Sequence, residues 1–220
     1  MRINKFVASA TPLSRRAADA AIAAGRVLVD GAPAEQGMDI TETSKVTLDG
    51  QPIVPAVNTI TIMLNKPRGY VVSRDGQGSE TIYDILPAEY HHLNPVGRLD
   101  KDSSGLLLLT NDGELANQLT HPKYQKNKVY EVVLDKPLQP LHQQMIADMG
   151  VQLEDGRSQF IIRRLERGNT EYEVTLHEGR NRQIRRTFAA LGYIVTRLHR
   201  TQFGSYTLSG LASGETKLVL

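Results

Sequence analysis

The sequence predicts an α+β fold in two parts, a small N-terminal helix-helix-hairpin unit over residues 1–50 and a larger domain over 59–220. The larger domain is expected to be built on a mixed, largely antiparallel β-sheet flanked by helices and loops, with residues 51–58 as a linker. Three observations carry this. Apolar residues recur at helical spacing between Ile3 and Ile22 and give way to two strand-then-Asp-Gly stretches. Pro52 and Pro55 then interrupt a segment without periodicity. Beyond it, strand-like segments outnumber short helices, and no repeat of fixed period is present.

In the first unit, Ile3, Phe6, Val7 and Ala10 fall on one helical face, and Thr11-Pro12 breaks the pattern. Ser14 is placed to cap a second helix whose apolar face is Ala18, Ala21 and Ile22, and Gly25 ends it. Arg26-Val-Leu-Val-Asp-Gly31 and Lys45-Val-Thr-Leu-Asp-Gly50 each predict a short strand entering a tight turn.

In the second domain, Thr59 to Asn65 alternates like a strand, Lys66 to Gly69 turns, and Tyr70 to Ser73 resumes as a strand. A short helix is expected over Thr81 to Leu86, stopped by Pro87. Leu106 to Leu109 is too short for a buried helix but suits a strand covered on both faces, with Thr110-Asn-Asp-Gly113 ending it. Glu114 to Leu119 predicts a short helix, Lys128 to Leu134 a strand, and Leu138 to Met149 a helix with Leu141, Met145 and Met149 on its apolar face. Strands follow at Gln159 to Arg164 and Glu171 to Leu176, and a helix begins near Asn181 and ends at Gly192. Strands at Ile194 to Arg200 and Lys217 to Leu220 close the chain.

A chain of 220 residues with 40% hydrophobic and 23% charged residues can build a sizeable core without staples. It has no cysteine, which excludes a disulfide scaffold, a thiolate zinc site and a cysteine nucleophile, and fits a reducing compartment. Met1-Arg-Ile-Asn-Lys-Phe-Val7 lacks the apolar core of a secretory signal, and no apolar run approaches bilayer-spanning length. A soluble, cytoplasmic protein with no membrane partner is the expectation. The net charge of +2 is too small to argue for a nucleic-acid partner, so its distribution matters more. Between Met1 and Asp30 five basic residues stand against two acidic ones, and between Glu178 and Gln202 six arginines stand against Glu178 alone.

Chemistry concentrates in Arg98-Leu-Asp-Lys-Asp-Ser-Ser104, a polar loop feeding the four-leucine strand. A loop can be exposed while the strand behind it fixes its position, as a catalytic group requires. Several uses are open. Asp100 and Asp102 have the spacing of a weak magnesium pair. No Walker-type phosphate loop is present, and His91, His92, His121 and His177 have no ligand spacing that recurs with a third donor. Ser103 and Ser104 lack the Gly-x-Ser-x-Gly elbow of a hydrolase and suit a turn or cap. Asp100, with Arg98 two residues before it, could act as a nucleophile or base beside a guanidinium, while Arg98 could be its simple charge partner.

The segments Arg2-Ile-Asn-Lys-Phe6, Ser14-Arg-Arg-Ala-Ala18 and Ala21 to Gly31 resemble the S4-type RNA-binding domain. The resemblance implies that Arg2, Arg15, Arg16 and Arg26 contact the phosphates of structured RNA, although a solvated helix face would look the same. Leu64-Asn-Lys-Pro-Arg-Gly-Tyr70, Gly97-Arg-Leu-Asp-Lys-Asp-Ser-Ser-Gly-Leu106 and Glu178-Gly-Arg-Asn-Arg-Gln-Ile-Arg-Arg186 resemble, in order, the motifs of the RsuA-type ribosomal RNA pseudouridine synthases. Thr187 follows the third motif where relatives often carry methionine.

This second resemblance implies isomerisation of a specific uridine in ribosomal RNA, of the large subunit on overall likeness with the small subunit as the other target this architecture reaches, by a monomer that needs no cofactor and no metal. It makes Asp100 the catalytic carboxylate, Tyr130 the residue that packs on the target base, and Arg185 the basic partner of Asp100. Ile184 would line the pocket, Arg98 would enter the RNA stack as the target nucleotide flips out, and Arg182 and Arg186 would contact RNA. From residues alone, Tyr130 is equally a packing residue of an alternating strand, and Arg185 a phosphate contact like its neighbours. A non-catalytic ribosome assembly factor that clamps ribosomal RNA is the alternative class, and loss of Asp100, Tyr130 or Arg185 would mark it.

Overall fold

The computed structural model describes residues 1–54 and 59–219 and divides into two compact units, residues 1–60 with 111–113, and 61–110 with 114–220. In the first unit, α1 (Ile3–Ala10) and α2 (Arg15–Ala23) precede strands β1 (Val27–Val29), β2 (Ala32–Pro33), β3 (Val46–Leu48) and β4 (Gln51–Pro52). The Ser14 side chain accepts the Ala17 amide, so one of the unpaired donors at the start of α2 is satisfied. Asp30-Gly31 and Asp49-Gly50 all have positive φ, at 51° and 86°, and at 50° and 77°. That is the geometry that lets two residues reverse a strand without splaying it. The strands order β2-β1-β3-β4, all antiparallel, and the helices cover them through Ile3, Val7, Ala18 and Ile22.

Gln51 and Pro52 therefore belong to a strand rather than to the expected linker. A two-residue turn at Asp49-Gly50 necessarily returns the chain alongside β3. Residues 55–58 of that linker, and Leu220 of the last expected strand, lie outside the described residues.

The second unit is organised on one mixed sheet. Its strands are β5 (Thr61–Lys66), β6 (Asn94–Val96), β7 (Ser104–Thr110), β8 (Lys128–Leu134), β11 (Ile161–Arg164), β12 (Glu171–Leu176), β13 (Val195–Phe203), β14 (Tyr206–Thr207) and β15 (Thr216–Leu218). A separate hairpin joins β9 (Val151–Leu153) and β10 (Gly156–Ser158). The main order is β11-β12-β8-β13-β7-β5-β15, with β14 on β13 and β6 on β7. All pairings are antiparallel except β13 with β7, where Arg200 lies opposite Gly105. Leu106 to Leu109 are each fully buried, as an apolar strand covered on both faces should be. Helices α3 (Gly113–Thr120), α4 (Pro140–Gln144) and α5 (Gln183–Ala190) flank the sheet. Among the described residues no helix is long and apolar enough to cross a membrane.

Three local expectations are corrected. Tyr70–Ser73 is not a strand; Val71 makes one isolated bridge to Thr81, because the chain turns away after Gly69 at φ 100°. The helix expected over Thr81–Leu86 is a single 3-10 turn, Ile82–Asp84, capped by Thr81. The Leu138–Met149 segment is helical from Pro140, but it widens into a π-turn over Met145–Met149. Ile146 of that turn is fully buried, while Leu141, in the α turn before it, and Met149 are exposed.

Candidate active site

The Asp100 loop runs from Gly97 to Ser103, between β6 and β7, and is pinned from beneath by Lys66 at the end of β5. This lysine is fully buried, and its ammonium donates to the carbonyls of Pro67, Asp100 and Ser103 at 2.9, 3.2 and 2.8 Å. Burial pushes it down to about 8, against the opposing pull of the Asp100 and Asp102 charges. The loop is closed further by the Ser103 amide on the Asp100 carbonyl at 3.1 Å, and by the Gly69 amide on the Lys101 carbonyl at 2.7 Å.

Arg182, whose φ of 45° precedes the first turn of α5, reaches over the loop from the other side. Its two terminal nitrogens donate to the Asp102 carboxylate at 3.0 and 3.1 Å, and one comes within 3.4 Å of Asp100 Oδ2. Burial alone would raise the Asp102 carboxyl, but the Arg182 hydrogen bond and the charges of Arg185 and Arg182 hold it below the usual range. The two aspartates are thereby distinguished. Asp102 is a structural anchor saturated by arginine, whereas Asp100 keeps most of its lone pairs for something in front of it.

In front of Asp100 is a cavity of about 550 Å³. Tyr130, at the middle of β8 between Val174 and Arg200, lines it, and so do Ile184 from α5, Arg98 and Arg182. Tyr130 and Ile184 are buried, which makes that wall apolar. Arg98 is exposed at the start of the loop, and the ion pairs of Asp100 and Asp102 go to Arg182 and Arg185 rather than to it. The reading of Arg98 as a simple charge partner finds no support in this geometry.

Arg185 does not line the cavity. One turn into α5, its side chain passes beneath the loop, donating to the Val195 carbonyl at 2.8 Å, the Asp102 carbonyl at 3.1 Å and Ser103 Oγ at 3.4 Å. The side chain that reaches the Asp100 carboxylate is Arg182, not Arg185. Nor do Arg182, Arg185 and Arg186 form one basic face. Arg182 and Arg185 both pair with Asp102, whereas Arg186 is held by both oxygens of Asp155, at 3.0 and 2.6 Å.

In the first unit, Arg15 and Arg16 are exposed on the first turn of α2. Arg26 is chelated by Asp49 at 2.8 and 2.5 Å, and Arg2 bonds the Gly37 carbonyl and pairs with Asp39 at 3.5 Å. His91 and His92 are both exposed, as expected of surface residues. Among the described residues no group of three or more His, Asp or Glu is arranged to hold a metal ion. Both oxygens of Asp102 are taken by arginine, so the Asp100-x-Asp102 spacing does not present a free carboxylate pair.

Two buried cations escape notice in the sequence, Lys66 and Arg200. The available signal was a charged residue on the inward phase of an otherwise apolar strand: Lys66 follows Ile62 and Leu64, and Arg200 follows Leu198.

The RNA pseudouridylate synthase family model matches residues 60–190, and an S4 domain model matches residues 1–46. The chain belongs to the RNA pseudouridylate synthase family. It is 36% identical to ribosomal large subunit pseudouridine synthase B of Bacillus subtilis, over 98% of this chain and 91% of that one. It is 37% identical to ribosomal small subunit pseudouridine synthase A of Yersinia pestis, over 98% of this chain and 93% of the relative. A crystal structure of a pseudouridylate synthase superposes with a TM-score of 0.71 at 30% identity, covering 100% of this chain and 96% of the other.

Proposed function

We propose that this chain converts one uridine of ribosomal RNA to pseudouridine with Asp100 as the catalytic carboxylate. The observation that carries the reading is the placement of Asp100. It is the one carboxylate of its loop not saturated by arginine, and it faces a cavity with the buried Tyr130 and Ile184 as an apolar wall. A base turned out of its stack requires such a wall, with Tyr130 packing on its face. Arg98 at the loop's exposed start is placed to enter the stack in its stead, an exchange that costs a few kcal/mol of stacking.

Substrate and product are isomers. The bond from ribose C1′ to N1 breaks, the uracil turns, C5 bonds to C1′, the C5 proton leaves and N1 gains one. Nothing is oxidised and no co-reactant is consumed. Asp100 supplies the carboxylate, either by attack on the nucleotide or by taking a ribose proton, and both start from the same position beside the sugar. Arg185 supports it from beneath as a positioning residue. Arg15 and Arg16 of the first unit meet RNA phosphates, while the carboxylate-bound Arg2, Arg26, Arg182 and Arg186 contribute less.

We place the target in large-subunit ribosomal RNA, in line with the Bacillus subtilis relative, and the protein in the cytoplasm. We take it to act as a monomer. The test is to incubate the protein with unmodified transcripts of both ribosomal RNAs and map pseudouridine. One new site in the large-subunit transcript, absent with Asp100→Asn although RNA binding persists, is the expected result. A site in the small-subunit transcript would move the target, and undiminished turnover by Asp100→Asn would remove Asp100 from the chemistry.

A further inference from the structure

Lys128 and Arg200 stand on neighbouring strands, β8 and β13, and both line the cavity that holds Asp100. Arg200 is 2% exposed. Its Nε donates to the Leu106 carbonyl at 2.7 Å, but its buried Nη2 has no hydrogen-bond partner. The Arg200 guanidinium carbon lies 4.9 Å from the centre of the Phe203 ring, and Lys128 Nζ lies 5.3 Å from the same centre. Among the described residues that ammonium donates one hydrogen bond, to the Glu178 carbonyl at 3.4 Å. Among the described residues neither cation forms an ion pair. Burial, and then the Arg200 charge, push the Lys128 ammonium below the usual lysine range against the opposing pull of the Glu178 charge.

Two like charges gathered on one aromatic ring, with a buried N–H unspent, are costly in a folded protein unless a ligand completes them. A neutral base carbonyl would satisfy Arg200 Nη2 but add no negative charge beyond that of Glu178, which opposes the shift at Lys128. An anion answers both. We propose that Lys128 and Arg200 form an anion subsite in the cavity wall that takes the phosphate of the bound nucleotide. Arg200 lies opposite Tyr130 in the β8–β13 register, so the subsite adjoins the position assigned to the base. The inference rests on the reading of this cavity as the nucleotide site, and it adds where the backbone of that nucleotide is held.

Titration calorimetry of the whole chain with uridine, uridine 3′- and 5′-monophosphates and inorganic phosphate tests it without requiring turnover. At least one monophosphate is expected to bind about tenfold more tightly than uridine, the yield of one charge-assisted contact pair. Lys128→Met and Arg200→Met should each bring that nucleotide close to the level of uridine, with Arg200→Lys keeping part of the preference. Lys128 is only half-buried, so its variant remains informative if Arg200→Met fails to fold. Equal binding of uridine and both monophosphates by the wild type, or an unchanged preference in Lys128→Met, would overturn the subsite. Inorganic phosphate binding as tightly as the nucleotide would overturn the assignment to RNA in favour of a free anion. Failure of the functional reading shows up separately, as absence of pseudouridine in the transcript assay.

Discussion

Arg182 grips Asp102 with both terminal nitrogens, at 3.0 and 3.1 Å, and touches Asp100 with one of them at 3.4 Å. One arginine thus separates two aspartates of the same loop, one held by both its oxygens and one touched at a single oxygen. Asp102→Asn should release Arg182 toward Asp100, lowering kcat/KM about tenfold, the effect of an altered charged contact worth about 1.4 kcal/mol. Asp100→Asn should leave no measurable product. Single-turnover rates on one RNA check the ranking, and equal losses in the two variants would contradict it.

Lys66 gives stability a pH dependence of definite direction. Its ammonium is pushed down to about 8 from an ordinary 10.5, so between these values the unfolded chain binds more protons than the folded one. Stability from this group therefore rises with pH across that window and is lost as pH falls through 8. The full difference is up to roughly 3 kcal/mol. Urea unfolding of wild type and Lys66→Met from pH 7 to 10.5 should give curves whose difference moves in the wild type's favour as pH rises. A difference flat across that window would refute the account.

Gly105 marks the point where β7 meets β13. Its φ is 106°, and a Cβ there would lie 2.2 Å from the Arg200 carbonyl oxygen and 2.5 Å from the Arg200 nitrogen. Neither partner is a movable side-chain tip. Gly105→Ala should cost more than about 3 kcal/mol and displace the Asp100 loop that feeds this strand. Chemical denaturation reads the first effect and loss of turnover the second.

Thr187, in the position where relatives often carry methionine, has a partner here. Its hydroxyl lies 2.7 Å from that of Ser158 and 2.8 Å from the Gln183 carbonyl, and Ser158 is fully buried. Thr187→Val should cost about 1–2 kcal/mol by leaving Ser158 without that partner. Adding Ser158→Ala should recover part of the loss, so a double-mutant cycle that comes out additive would show the pair to be uncoupled.

Much of the scaffold was legible because local rules and tertiary context agree. Lys128–Leu134 and Glu171–Leu176 are strands to the residue, Ser14 caps α2, and both Asp-Gly pairs turn. What escaped was decided at a distance. Whether Tyr70–Ser73 pairs depends on neighbours elsewhere in the chain, and the 3.6 period read through Met149 is broken by a π-turn from Met145. At the site, Asp100 stood out by its motif, but the division of labour between Arg182 and Arg185 follows from where α5 begins. Helix termini are the boundaries that sequence places least well. Lys66 and Arg200 were hidden because a buried cation has the same letter as a solvated one.

The parallel contact of β13 with β7 joins Arg200 to Gly105, and the walls of the cavity come from positions between Gly97 and Phe203. On an emerging chain the helix pair and hairpin of the first unit can close early, since their partners are near in sequence, whereas the central sheet waits for β13. During synthesis the Asp100 loop therefore exists for some time without the wall that Leu198, Arg200 and Phe203 of β13 give its cavity. A ribosome stalled before β13 emerges would display a nascent chain with a folded N-terminal unit and no reaction chamber.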